Sequence, residues 1–148
     1  MNGSVIFLGL AQKAGKMEIG EEGCADAARF KRARAFLSAS DAAESSVSRA
    51  AAFAETCGAV HIALPFTKEE LGSVVGRGTP GMFALTDAGM ASAFAKKLDA
   101  EFPGRFGDAA AALAIAAEKQ VGYRAKKAQK AQNKQGFESR KRSGRTSH

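Results

Sequence analysis

A chain of 148 residues is long enough for one domain with a core of its own, so no disulfide staples are needed. It contains no stretch near the roughly 18 consecutive apolar residues of a membrane span, and Val5 to Leu10 is too short and lacks the basic leader of a signal peptide, so a cytoplasmic protein is expected. The net charge of +7 is uneven: residues 1–118 carry 12 Lys and Arg against 14 Asp and Glu, and residues 119–148 carry ten against one, so a high pI says little about the folded part.

In chain order, Ile6, Phe7, Leu10, Ala11 and Ala14 recur at three- and four-residue spacings, which suits one buried helical face, with a strand left open for so short a run. Ala14-Gly15-Lys16 closes that run, and Met17 to Ile19 is too short for more than a brief strand. Gly20 opens a helix reaching about Phe30, with Glu21 and Glu22 in its first turn, where carboxylates oppose the positive pole of the helix. A helix start with exposed backbone N–H groups is also an anion site. The chain then alternates: strand Ala35 to Ala39, helix Glu44 to Glu55, strand Val60 to Leu64, helix Lys68 to Val75, strand Met82 to Thr86 and helix Ala88 to Leu98. Asp41, Thr67 and the Thr86-Asp87 pair stand where helix N-caps belong. The alternation predicts an α/β fold, with helices on both faces of a small mixed sheet of about four strands.

Beyond Leu98 the composition changes. Phe102 to Gly107 is turn material, Asp108 is placed to cap the Ala-rich run that follows, and a helix to about Ala131 is expected. Leu113, Ile115 and Val121 are its only large aliphatics, so weak docking onto the core is predicted. From Asn133 onward Gly, Ser, Lys and Arg lack periodicity and read as disordered. The expected organisation is a domain over residues 1–100 and a basic helical and disordered extension over 101–148.

The ordered series LGLAQKAGKMEIGEE (Leu8 to Glu22), a helix ending in basic residues, the strand Ala35 to Ala39 followed by Asp41, LPFTKEELGSVVG (Leu64 to Gly76) and MFALTDAGMASAFAKKL (Met82 to Leu98) resembles the kink-turn-binding ribosomal protein family of the L-seven-Ae and L-thirty-e type, and most closely its small bacterial YlxQ-like branch. The resemblance implies an α/β/α sandwich and a non-enzymatic, ribosome- or translation-associated protein that binds structured RNA such as rRNA. Gly20, Glu21 and Glu22 would meet the sheared G·A pairs of a kink-turn, beside Lys16. The Gly76 to Gly81 loop would pack against the unstacked part of the RNA, with Arg77 available for phosphate and Gly78 and Thr79 permitting close approach. The chain departs from the family at Asp26, where a lysine is usual, and at Gly23, where a larger residue is common. That shifts the expected phosphate contacts toward Arg29, Lys31, Arg32 and Arg34, and predicts that Asp26→Lys tightens kink-turn binding. The bland readings are first-turn acids for Glu21 and Glu22, and a solvated helix end whose cations offset the dipole for the basic cluster.

Other motifs carry less. GRGTPG (Gly76 to Gly81) matches the dinucleotide fingerprint G-x-G-x-x-G, but it follows a predicted helix and leads into a predicted strand, the reverse of what that fingerprint needs. Cys57 and His61 are four apart with Gly58 between them, and only Cys24 and His148 could complete a metal set, so no metal or other cofactor is expected. No catalytic constellation is evident. The tail interleaves cations with Tyr123 and Phe137, and Arg124, Lys126, Lys127, Lys130, Arg140, Lys141 and Arg142 would supply RNA affinity with little sequence choice, unless the tail only solubilises the chain. A monomer with no membrane partner is expected. The alternatives are a protein-interaction module of the same fold that has lost kink-turn recognition, and an enzyme that uses the Gly-rich loop for a nucleotide.

Overall fold

The computed structural model describes residues 2–76, 78 and 80–120. A first compact unit spans Met1–Ala117; the second begins at Glu118, and of it residues 118–120 are described and helical. The first unit runs α1 (Gly3–Lys13), β1 (Met17–Ile19), α2 (Gly20–Arg29), β2 (Ala35–Ser38), α3 (Glu44–Cys57), β3 (Val60–Ala63), α4 (Lys68–Val75), β4 (Met82–Leu85) and α5 (Ala88–Glu101), followed by a sixth helix, α6, from residue 107 to the end of the unit at 117. Every element predicted up to Leu98 is present, with ends shifted by a few residues; the expected helix end near Ala131, with Val121, lies outside the described residues.

The sheet has the order β1-β4-β2-β3; β2 and β3 are parallel, and β4 is antiparallel to both of its neighbours. Because side chains alternate along a strand, the sheet sends Ala35, Leu37, Phe83 and Leu85 to one face and Phe36, Met82 and Ala84 to the other. The first face is covered by Val5, Leu8 and Ala11 of α1, Leu71 and Val75 of α4 and Phe94 and Leu98 of α5. The second is covered by Cys24, Ala27 and Ala28 of α2 and Ala50 and Ala54 of α3. This is the expected three-layer α/β/α sandwich. The small residues on the second face let α2 and α3 lie close to the strands, with Phe36 and Phe53 packed at 5.9 Å between ring centroids.

Several local expectations hold. Thr67 and Glu70 form a complete capping box at the start of α4, and Asp87 accepts from the Met90 N–H at 2.9 Å at the start of α5. Others do not. The buried face of α1 is Ser4, Val5, Leu8, Gly9 and Ala11, whereas Ile6 and Leu10 are exposed; the helix is apolar on two sides, so spacing alone selects the wrong one. Asp41 does not cap α3, whose N-cap is Ala43 without a side-chain bond; its carboxylate instead accepts from the Lys68 N–H at 2.8 Å across the loop. Asp108 lies inside the first turn of α6 and not before it. The core also runs past residue 100, where the boundary is expected, and into the helix for which weak docking is predicted. Phe106 and Leu113 are buried in the larger core, and Phe66, Phe102 and Phe106 stack edge to face at 5.9 and 6.1 Å, which carries the first unit on to Ala117.

Candidate nucleic-acid interface

Strand register decides which of the expected site residues meet. Ile19 pairs with Phe83 and Met17 with Leu85, so the chain leaves β1 into Gly20 at the same end of the sheet where it enters β4 from Gly81. Ser38 pairs with Met82 there, and the Ala39 N–H donates to the Gly81 carbonyl at 2.9 Å. This end therefore gathers Gly20, the start of α2 with Glu21 and Glu22, and Gly81, the residue through which the Gly-rich loop enters β4. Arg77 and Thr79 lie outside the described residues, as do Arg124, Lys126, Lys127, Lys130, Arg140, Lys141, Arg142 and the expected disorder of the tail.

The start of α2 is shaped by backbone geometry. Gly20 has φ +85°, a conformation that an L side chain reaches only with strain, and it turns the chain directly from strand into helix. The residue before it, Ile19, offers no side-chain cap, so the first N–H groups of α2 are not bonded by a capping side chain. Gly76 closes α4 at φ +69°, and Gly78 follows at φ +64°. The loop thus leads from helix to strand, the order in which the dinucleotide fingerprint does not work. Gly81 packs on Ala42, where an added Cβ would stand 3.2 Å from the Ala42 Cβ, and the Lys68 side chain lies on the same glycine.

Electrostatics separates the two acids of the first turn. Glu21 is in direct contact with Arg49 of α3 as an ion pair. Glu22 is exposed and has no ion-pair partner among the described residues, so it is the carboxylate available as an acceptor. Arg49 was not legible in the sequence, because nothing in the Ser-rich run around it signals that α3 will lie beside the start of α2. Asp26 is also occupied: its carboxylate accepts from the Arg29 guanidinium at 2.7 Å. Gly23 leaves room for Glu18, whose carboxylate would stand 3.1 Å from an added Cβ.

The cations belong elsewhere. Lys16, Arg29, Lys31, Arg32 and Arg34 cluster at the opposite end of the sheet, at the C-terminal end of α2. The Lys16 carbonyl accepts from Thr86 N–H at 2.9 Å and the Arg34 N–H donates to Leu85 at 2.7 Å. Glu18 pairs with Arg32 at 3.5 Å. The residues expected to meet RNA therefore fall into two groups, one at each end of the strands.

The thiols and the histidine are spoken for. Cys24 is fully buried, and burial, reinforced by the Glu18 charge, pushes its pKa up to about 12, so it stays a neutral thiol. Cys57 donates to the Ala33 carbonyl at 3.3 Å, while His61 Nε2 lies 3.0 Å from the buried Ser38 Oγ. Burial lowers the pKa of His61 below its ordinary 6.5. Among the described residues, no helix is long and apolar enough to cross a membrane.

No protein-family model matches the chain, and no curated protein matches it. Solved structures do. A protein of unknown function from Bacillus halodurans C superimposes with a TM-score of 0.61 at 20% identity, over 67% of this chain and 99% of that one. The Giardia lamblia 15.5kD RNA binding protein does so with a TM-score of 0.51 at 11% identity, over 65% of this chain and 82% of that one. At such identities the likeness is one of fold, and the fold is one that an RNA-binding protein also uses.

Proposed function

We propose that this chain is a non-enzymatic, cytoplasmic RNA-binding protein that recognises a kink-turn-like bend in structured RNA, in a ribosomal or translation-associated setting. The observation that carries this reading is the β1–β4 register, which sets the side-chain-uncapped start of α2 at the end of the sheet where Gly81 leads the Gly-rich loop into β4. Two backbone features at one edge suit a ligand that is itself sharply bent. Donors at a helix start hold phosphate or base edges, and a glycine-rich loop admits a bulged strand closely. Glu22 supplies an acceptor for guanine N–H groups, while the Glu21–Arg49 pair keeps a second carboxylate from adding its full charge near the phosphates. Structural resemblance to an RNA-binding protein supports RNA as the ligand class.

The test is binding of the full chain, at near-physiological salt, to a kink-turn RNA and to a copy with its sheared G·A pairs replaced. Clear preference for the intact kink is expected. Equal binding of the two would remove kink-turn recognition and leave a protein-interaction module of this fold as the better reading.

A further inference from the structure

The C-terminal end of α2 holds a feature that the kink-turn reading does not use. Phe30, next to the last residue of the helix, is 63% exposed, the most open of the large apolar side chains among the described residues. The Arg29 guanidinium sits 5.5 Å from the centre of its ring and also donates to the Asp26 carboxylate at 2.7 Å. The helix then ends in a double hydrogen-bonded turn, with Lys31 N–H on the Ala28 carbonyl at 3.1 Å and Arg32 N–H on the Ala27 carbonyl at 2.8 Å. That turn demands a left-handed residue, a place that glycine fills without strain, and here Lys31 fills it at φ +52°. Among the described residues no other side-chain-bearing residue has positive φ.

Cations at a helix C-terminus are explained by the dipole. The dipole does not explain an exposed aromatic ring among them, nor a lysine held where it strains the backbone. Nor do the acids consume the charge: Glu18 takes Arg32 and Asp26 takes Arg29, leaving Lys16, Lys31 and Arg34 exposed and without an ion-pair partner among the described residues. A largely exposed ring at the same helix end as cations without ion-pair partners is the chemistry that binds a single-stranded nucleic acid, with a base on the ring face that Arg29 leaves open and phosphates on the cations.

We propose that this end of α2 is a second RNA site, where Phe30 stacks on an unpaired base of a single strand and Lys16, Lys31 and Arg34 hold its flanking phosphates. The site is independent of the kink-turn surface, which lies at the other end of the strands. A strand extending from a structured RNA would thus be held separately from its bend.

The chain has no tryptophan, so Phe30→Trp in the full-length protein places a single indole reporter at the site. Titration with a ten-nucleotide oligoadenylate is expected to quench the emission of that indole. An abasic ribose-phosphate strand of equal length, bound by charge alone, is expected to leave it unchanged. Absence of quenching by the oligoadenylate, or equal quenching by both strands, would overturn the proposal. In a second measurement at raised salt, which suppresses non-specific attraction, Phe30→Leu is expected to weaken oligoadenylate binding about five-fold or more, in line with the loss of one stacked base. Unchanged affinity would refute the site. Preference for an intact, blunt-ended kink-turn should survive Phe30→Leu, so failure of the kink-turn reading and failure of this one would be seen in different experiments.

Discussion

Gly20 and Lys31 lie near opposite ends of α2, and both have positive φ. No heavy atom lies within 4 Å of where a Gly20 Cβ would stand, so the cost of a side chain there is conformational and not steric. Gly20→Ala is expected to lose about 1–2 kcal/mol in urea unfolding and to weaken RNA binding by re-aiming the first N–H groups of α2. Lys31→Gly should do the reverse for stability. Relief of left-handed strain, less the larger entropy of glycine in the unfolded chain, leaves a gain of about 0.5–1 kcal/mol. A gain in stability with a loss of oligoadenylate affinity would mark Lys31 as strain retained for binding. His61 adds a pH dependence. Burial lowers its folded pKa below 6.5, so as pH falls through 6.5 the unfolded chain takes up a proton before the folded one does. This contribution to stability is complete above that pH and is lost as pH falls toward the folded pKa, then levels off. Urea midpoints measured between about pH 7.5 and 5.5 should fall with pH in the native chain and fall less in His61→Gln.

At the scale of the element, α6 is the sharpest test. Leu113 has no solvent exposure and joins the same core as Phe94, Leu98 and Phe106, so Leu113→Ala should cost about 2–5 kcal/mol, where a loosely docked helix would lose less than about 1. A small loss would restore the boundary near residue 100. Counting large aliphatics misjudged this helix because one leucine suffices when the core supplies the hole, and a stripe count cannot see holes. The same limit runs through the other elements. Helices and strands were legible because their caps and alternation are local: Thr67-x-x-Glu70 and Asp87 announce α4 and α5 within one turn. Features built by packing were not. The Asp41 carboxylate meets Lys68 across 27 residues, Glu21 meets Arg49 because α2 and α3 share a face of the sheet, and the buried side of α1 depends on α4 and α5 lying against it. The candidate site divides in the same way. Gly20, Glu22 and the Gly-rich loop stand out by residue type, but their adjacency rests on antiparallel pairing between strands distant in the chain, which also sends Lys16 and Arg34 to the far end.

For the whole molecule, the division of charge is as informative as the fold. Residues 1–118 are slightly acidic, whereas residues 119–148 carry ten cations against one acid, so under the proposed function the long-range attraction of RNA is expected to come mainly from beyond the first unit. Each phosphate neutralised contributes about −0.7 to the slope of log affinity against log salt for a single strand and about −0.9 for a duplex. The appropriate cut follows the core and not the turn before α6: ending the chain at Ala117 keeps Phe106 and Leu113 in place, whereas ending it at Gly107 would remove Leu113 and open the core. A chain of residues 1–117 is therefore expected to unfold as cooperatively as the first unit within the full chain, to bind RNA more weakly at low salt, and to show a slope shallower by several units. Its preference for an intact kink-turn should be retained, because the start of α2 and the Gly-rich loop both lie within it. An undiminished slope would place the phosphate contacts on the folded unit, on cations such as Lys16, Lys31, Arg34 and Lys68, and would make the basic extension a bystander to RNA binding. A shallower slope with loss of preference would instead mean that the extension helps to select the RNA as well as to attract it.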